Sequence, residues 1–166
     1  SLGNCGAASS LTRKRRAPVL ESCTDVSEPD QASRPASRSD TSGLELSVIM
    51  PCYNEQEVIP YTIPQLVDAF RRAGHRLELI ACDNGSSDRT GEIIAGFVRA
   101  GLPVVHHRVS PNEGYGNGVL KSIPVCTAPW IGIIPADGQV DAEDVARLFD
   151  AVKPTDGMVL GKVRRR

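Results

Sequence analysis

The chain has 166 residues, 40% apolar, 23% charged and 4% aromatic, with 19 Lys and Arg against 20 Asp and Glu. That length suits one domain with a tail better than two full domains. A net charge of −1 argues against a nucleic-acid binder that works by neutralising phosphates. No apolar run approaches the roughly 20 residues of a membrane-spanning helix, and the N-terminus lacks the apolar stretch of a secretory signal. The first residue is Ser rather than Met, so the chain is expected to be processed or incomplete.

Residues 1–43 hold no aromatic residue, five Leu or Val and nine Ser. Such a stretch cannot bury enough apolar surface to offset its ordering entropy, which predicts a disordered tail ahead of a domain over residues 44–166. Arg13, Lys14, Arg15 and Arg16 read as a solvated charge run rather than a localisation patch, because Glu and Asp follow in the same tail. Five cysteines, an odd number without CxxC or CxxH spacing, give little support to a disulfide framework or a zinc site. Cys52 and Cys82 fall at predicted strand ends, where a buried thiol acts as a small apolar filler. A reducing, cytosol-facing compartment is the simplest reading.

From Leu44 onward strands and helices alternate. Leu46 to Met50 is a short apolar run of the kind buried in parallel sheets. Ile59, Ile63, Leu66, Val67 and Phe70 recur at helical spacing up to Gly74. Pro60 and Pro64 argue for a late start, with Thr62 as N-cap, Gln65 three residues on and Pro64 in the first turn. Leu77, Leu79 and Ala81 alternate toward Asp83, and Ser87 or Asp88 caps a helix with Ile93, Ile94, Phe97 and Val98 inward, closed by Gly101. Val104 and Val105 give a third strand and Trp130 to Ile134 a fourth. Asp141 caps a helix that buries Val145, Leu148, Phe149 and Val152, and Met158 to Val163 gives a fifth strand. This order predicts an α/β, Rossmann-like, mostly parallel sheet with helices on both faces.

Ligands of such sheets bind beyond the carboxyl ends of the strands. Asn54 and Glu55, Asp83 and Asn84, and Asp137 all fall there. After the first strand, Pro51-Cys52-Tyr53-Asn54-Glu55 either packs a planar base against its turn or only caps the backbone. After the second, Asp83 is assigned to ligand and Asp88 to the helix start, where an acidic residue interacts well with the dipole. Asn112-Glu113-Gly114-Tyr115-Gly116-Asn117-Gly118 spaces its glycines GxGxG, unlike a dinucleotide fingerprint. Gly114 and Gly116 instead suit either a phosphate loop at a helix N-terminus or a plain helix-leading turn. Asp137 and Gln139 offer two oxygen ligands to a hard cation beside a diphosphate, or else form an Asp–Gly turn. His75, His106 and His107 show no partnering pattern and receive no catalytic role.

Taken in order, Val48-Ile49-Met50-Pro51-Cys52-Tyr53-Asn54-Glu55, Asp83-Asn84-Gly85-Ser86-Ser87-Asp88, Asn112-Glu113-Gly114-Tyr115-Gly116-Asn117 and Ala136-Asp137-Gly138-Gln139 resemble the family 2 glycosyltransferases. The likeness is strongest to the branch similar to dolichyl-phosphate or polyprenyl-phosphate sugar transferases, and it covers about Leu44 to Arg166. The resemblance implies the nucleotide-binding half of a GT-A fold that takes sugar from a nucleoside diphosphate to an acceptor, often a lipid phosphate. The expected location is the cytoplasm or, peripherally, the cytosolic face of a membrane. By resemblance, Pro51, Tyr53 and Glu55 line the nucleoside pocket and Asp83 contacts base or ribose. Asp137 then binds Mg or Mn beside the diphosphate, with Gln139 as a further ligand. Two departures stand out. Pro135 replaces the first carboxylate of the family's Asp-x-Asp, and the family's acceptor-side segments normally follow the fifth strand, where this chain ends. The expectation is a donor-binding half with little turnover by itself; the alternative is a non-catalytic fragment or pseudoenzyme that binds a nucleotide sugar or a protein partner.

Overall fold

The computed structural model describes residues 8–13, 32–33, 42–152 and 158–162. In chain order the elements are β1 (Ala8–Arg13), β2 (Ala32–Ser33), β3 (Leu46–Cys52), α1 (Ile59–Arg72), β4 (Leu77–Asp83), α2 (Thr90–Arg99), β5 (Val104–Arg108) and α3 (Tyr115–Ser122). A 3-10 turn (Ile123–Val125), β6 (Trp130–Ile133), α4 (Ala142–Val152) and β7 (Met158–Lys162) follow. The sheet runs β2-β5-β4-β3-β6-β1-β7. Its centre, β5-β4-β3-β6, is parallel, as alternating strands and helices predict.

All seven residues of β3 and of β4 are buried, because both faces of these strands are covered. On one face Val48, Met50, Leu79 and Ala81 pack under α1, α2 and α4. On the other, Ile49, Ile80 and Val105 pack with Val119 of α3 and with Cys126. Helices α1 and α4 meet through aromatic rings, with Phe70 and Phe149 centroids 6.1 Å apart and Trp130 edge-on to Phe149 at 6.4 Å. Truncating Phe149, which is fully buried, would cost about 3–5 kcal/mol.

Two polar side chains inside this core, Ser47 and Glu78, pair with each other. Ser47 Oγ donates to Glu78 Oε1 at 2.9 Å, and Thr127 donates to the same carboxylate from its amide (3.1 Å) and its hydroxyl. Glu78 thereby ties β3 and β4 to the turn that leads into β6. Helices α1 and α2 end as the glycines predict. His75 N–H reaches Phe70 O and Gly74 N–H reaches Arg71 O, with Gly74 at φ 78°. Leu102 and Gly101 repeat the pattern on Phe97 and Val98, again with φ 78° at the glycine.

One expectation differs from the structure. Helix α1 starts at Ile59, not after Thr62, because Pro60 lies in the first turn, where no backbone N–H is needed. Thr62 Oγ1 instead turns back to Val58 O at 3.4 Å, and Pro64 stands inside the helix. Strand β7, the expected fifth strand, joins the sheet antiparallel to β1. Ahead of residue 44, Ala8–Arg13 pairs antiparallel with β6 and β7, and Ala32–Ser33 pairs antiparallel with β5. Such strands are held by backbone hydrogen bonds that any side chain permits. Residues 1–7, 14–31, 34–41, 153–157 and 163–166 lie outside the described residues, and with them Lys14, Arg15, Arg16 and Val163.

Candidate functional site

The tips of β3 and β4 are laced together. Past Cys52 the chain turns through Asn54, which sits at φ 55°, a left-handed conformation that Asn tolerates better than most residues. Asn54 Oδ1 accepts from Ser87 N at 2.9 Å, while Asn54 N donates to Ser86 Oγ at 3.1 Å. Glu55 N donates to Thr90 Oγ1 at 2.9 Å, Gln56 N to Asp88 Oδ2 at 3.2 Å, and Arg89 N to Gln56 Oε1 at 3.1 Å. Asp88 Oδ1 also accepts from Thr90 N at 2.9 Å. Asp88 therefore holds the start of α2 and the Glu55 turn at once.

Beyond these tips lies a cavity of about 330 Å³, lined by Pro51, Cys52, Tyr53, Glu55, Asn84, Asn112, Gly114, Tyr115, Pro135, Ala136 and Asp137. Among the described residues no Lys, Arg or His lines it, and two of the lining side chains are carboxylates. Their charges interact. Partial burial, then the charge of Asp137, then that of Asp88 push the Glu55 carboxyl above its usual range. Burial and the Asp137 charge likewise raise the Tyr115 phenol. Tyr53 and Tyr115 both line the cavity and are each 53% exposed.

Asp83 stands apart from that lining. It is 1% exposed and lies beneath the first turn of α2, where a Cβ on Gly91 would come within 2.6 Å of its Oδ2. Its Oδ1 accepts from Ser86 N at 2.9 Å. Oδ2 faces Arg108 Nη1 at 3.7 Å and His106 Nε2 at 3.9 Å, both too long for hydrogen bonds. Burial raises the Asp83 carboxyl, but His106, Ser86 and Arg108 together outweigh it and hold the group below its usual range. A buried anion thus underlies the β4 tip.

Gln139 is placed elsewhere too. It faces a second cavity of about 510 Å³ between α1 and the start of α4, shared with Met50, Gln65, Pro135 and Asp141. Its backbone N–H donates to Asp137 Oδ1 at 3.0 Å. The structure therefore brings Pro51, Tyr53, Glu55, Gly114 and Asp137 to one cavity and leaves Asp83, Gly116 and Gln139 off its lining. Among the described residues no three His, Cys, Asp or Glu gather as a metal site. A hard cation with a diphosphate still fits the donor set: carboxylate oxygens are present, and among the described residues no basic side chain competes for the anion.

Sequence reasoning placed Asn84 at a strand end but gave it no role, and it gave none to Asn112 or Tyr115, which stand inside the glycine-rich motif. His106 and His107 point to opposite sides of β5. His107 is buried with Nδ1 3.0 Å from Ser122 Oγ, while His106 turns toward Asp83.

Residues 47–166 match the profile of Glycosyl transferase family 2. An uncharacterized glycosyltransferase of Mycobacterium tuberculosis is 33% identical over 122 residues, covering 74% of this chain and 50% of that protein. An undecaprenyl-phosphate 4-deoxy-4-formamido-L-arabinose transferase of Enterobacter sp. is 30% identical over 123 residues, covering 73% of this chain and 37% of the relative. The chain thus spans half or less of the curated relatives it matches. Among solved structures, S. aureus TarS 1–349 in complex with UDP-GlcNAc superposes with a TM-score of 0.55 at 21% identity, over 65% of this chain and 32% of that one. At that identity the likeness concerns the fold.

Proposed function

Since the chain belongs to Glycosyl transferase family 2, we propose that residues 44–166 bind the nucleoside-diphosphate sugar of a sugar-transfer reaction. The observation that carries this reading is the cavity at the tips of β3, β4 and β6, where Tyr53, Glu55, Asp137 and the start of α3 converge. A planar base stacks on the aromatic face of Tyr53 above Pro51, and Glu55 accepts from ribose hydroxyls or the base edge. Asp83 acts from below, holding the loop that carries these groups. The diphosphate lies between Asp137 and the N-terminal turn of α3, led by Gly114 with Gly116 behind it.

A diphosphate entering a cavity whose described lining has two carboxylates and no basic side chain needs a counter-charge. Mg or Mn suits it, held by Asp137 and the phosphate oxygens, with Gln139 on the flank. Such a cation, when bound, neutralises charge that develops on the leaving diphosphate. In the transfer, an acceptor oxygen forms a bond to the anomeric carbon as the bond from that carbon to the β-phosphate oxygen breaks. The named relatives favour a polyprenyl-phosphate acceptor. With a lipid-phosphate acceptor, we place the chain at a membrane's cytosolic face as a peripheral partner; no helix among the described residues is long and apolar enough to cross a membrane.

A second reading, a nucleotide-sugar binder without turnover, draws on Pro135 and Ala136, which leave Asp137 the only carboxylate at the β6 tip. Calorimetric titration with UDP, GDP and CDP and their sugars, in Mn and in EDTA, tests the binding that both readings share. Cation-dependent affinity for at least one is expected; none for any would overturn both. Transfer of radiolabelled sugar to a polyprenyl phosphate then separates them.

A further inference from the structure

Asn84 is 3% exposed and follows the last residue of β4. Its N–H donates to Cys52 O at 2.9 Å, which fixes it to the β3 tip. Its carboxamide reaches the other way. Nδ2 donates to Asn112 Oδ1 at 3.2 Å and to Gly114 O at 3.1 Å. Asn112 Oδ1 accepts in turn from Gly114 N at 2.8 Å, so Gly114 is pinned at both its amide and its carbonyl.

Gly114 is the N-cap of α3, at φ 99°, a backbone that suits glycine. The first-turn amides of α3 have no intrahelical acceptors, no side chain caps them, and no acidic residue stands in the turn. Helix α3 also lies close over Asn84, since a Cβ on Gly118 would meet the Asn84 Cγ at 3.1 Å. Two acceptors on Nδ2 fix the orientation of the amide, and Oδ1 is left buried without a partner among the described residues. An unpaired buried acceptor is costly and rare, so a purely structural tie would be better made by another side chain.

We propose that Asn84 is a positioning residue for the phosphates: it sets the exposed amides at the start of α3 against the Asp137 wall. This rests on the nucleotide-sugar reading above and deepens it. The nucleoside, seated at Tyr53 and Glu55, is held by the β3–β4 lacing and not by this tie. Loss of Asn84 therefore weakens binding of the diphosphate and spares the nucleoside.

The test uses the full chain, with UDP and GDP in Mn titrated by calorimetry and uridine and guanosine followed by ligand-observed NMR. Asn84→Ala is expected to weaken the diphosphate about tenfold or more, to change nucleoside affinity less than twofold, and to speed amide hydrogen exchange at Tyr115–Asn117. Asn112→Ala cuts the same tie from an exposed position and keeps the test open if Asn84→Ala does not fold. It should show the same selective loss, and the double variant should bind no worse than the weaker single. Equal loss of nucleoside and diphosphate, or loss of neither, in a wild-type background that binds both would overturn the positioning role alone. A wild-type chain that binds none of the four ligands would overturn the nucleotide-sugar reading and this role with it.

Discussion

The two walls of the cavity are built differently. On the β3–β4 wall, five backbone amides, those of Asn54, Glu55, Gln56, Ser87 and Arg89, find side-chain acceptors across the gap between the two tips. On the opposite wall, Asn112, Gly114, Tyr115 and Asp137 are all exposed. The hydrogen bonds there are short-range, such as Gln139 N–H to Asp137 and Gly114 N–H to Asn112, and Asn84 reaches across from the laced side. The laced wall is pre-organised and would bind a rigid, uncharged group with little ordering cost. The exposed wall can adjust to a flexible, charged diphosphate.

The largest effect should come from undercutting the laced wall. Asp83→Ala leaves the Ser86 amide without its acceptor and removes the anion facing His106 and Arg108. A loss of about 1–3 kcal/mol is expected from the unpaired buried group. The pH dependence has a fixed sign. The Asp83 carboxyl is held below its usual value of 3.8, so its contribution is complete above that value and fades as pH falls through the lower folded one. Urea melts from pH 6 to pH 2 should show an acid limb that Asp83→Asn flattens. A variant as acid-sensitive as the wild type would place the titrating group elsewhere.

Next in size is the far wall. Asp137 is exposed, and the hydrogen bond its carboxylate accepts is the local one from Gln139 N–H, so Asp137→Asn should leave the melting temperature within a degree or two. Affinity for a nucleoside diphosphate in Mn should fall about tenfold, or about 1.4 kcal/mol. Asp88→Asn should do the reverse, because Asp88 accepts from Gln56 and Thr90 amides on the laced wall. Stability should fall by about 1 kcal/mol, as for loss of a helix cap, with a smaller change in affinity. Equal effects of the two variants on titration would erase the distinction between the walls.

The sequence made much of this visible. Burial of β3 and β4 on both faces was written in Leu46–Met50 and Leu77–Ala81, and the helix stops in Gly74 and Gly101. Three polar strand ends marked the site. What the sequence could not reveal was direction: Asp83 and Asn84 are neighbours in the motif, yet Asp83 turns under α2 while Asn84 crosses to α3. Gln139 shares a motif with Asp137 but faces the cavity on the far side of Pro135. Strand β1 carried no hydrophobic signature because backbone bonding holds it.

A smaller change is expected at Glu55, which belongs to the laced wall but faces Asp137. Its carboxyl is raised above the usual 4.5 by burial and then by the Asp137 and Asp88 charges. A raised folded value favours the fold below pH 4.5 and works against it as pH climbs through that value. Glu55→Gln should therefore melt slightly above the wild type at pH 7, with the difference shrinking toward pH 4. Added Mn should narrow the gap at pH 7 by screening the two carboxylates. A variant that melts lower at pH 7 would mean that Glu55 is not repelled in the fold.

The smallest effect on either wall should follow removal of residues 1–41, which we propose are dispensable for donor binding. Strand β1 pairs with β6 from Arg13 opposite Trp130 to Ser10 opposite Ile133. The pairing stops at Ile133, short of Pro135 and Asp137, and on its other side β6 is already held by β3 from Trp130 to Ile133. Among the described residues, neither Ala8–Arg13 nor Ala32–Ser33 lines the cavity. Its loss uncovers backbone groups of β6 and leaves β7 without the partner that joins it to the sheet, which favours association between chains. Deletion should therefore lower the melting temperature by a few degrees and increase self-association in sedimentation, while nucleoside-diphosphate affinity in Mn changes less than twofold. A fall in affinity of tenfold or more, measured on the monomer fraction, would mean that the position of Asp137 depends on β1 and that the exposed wall is braced from behind.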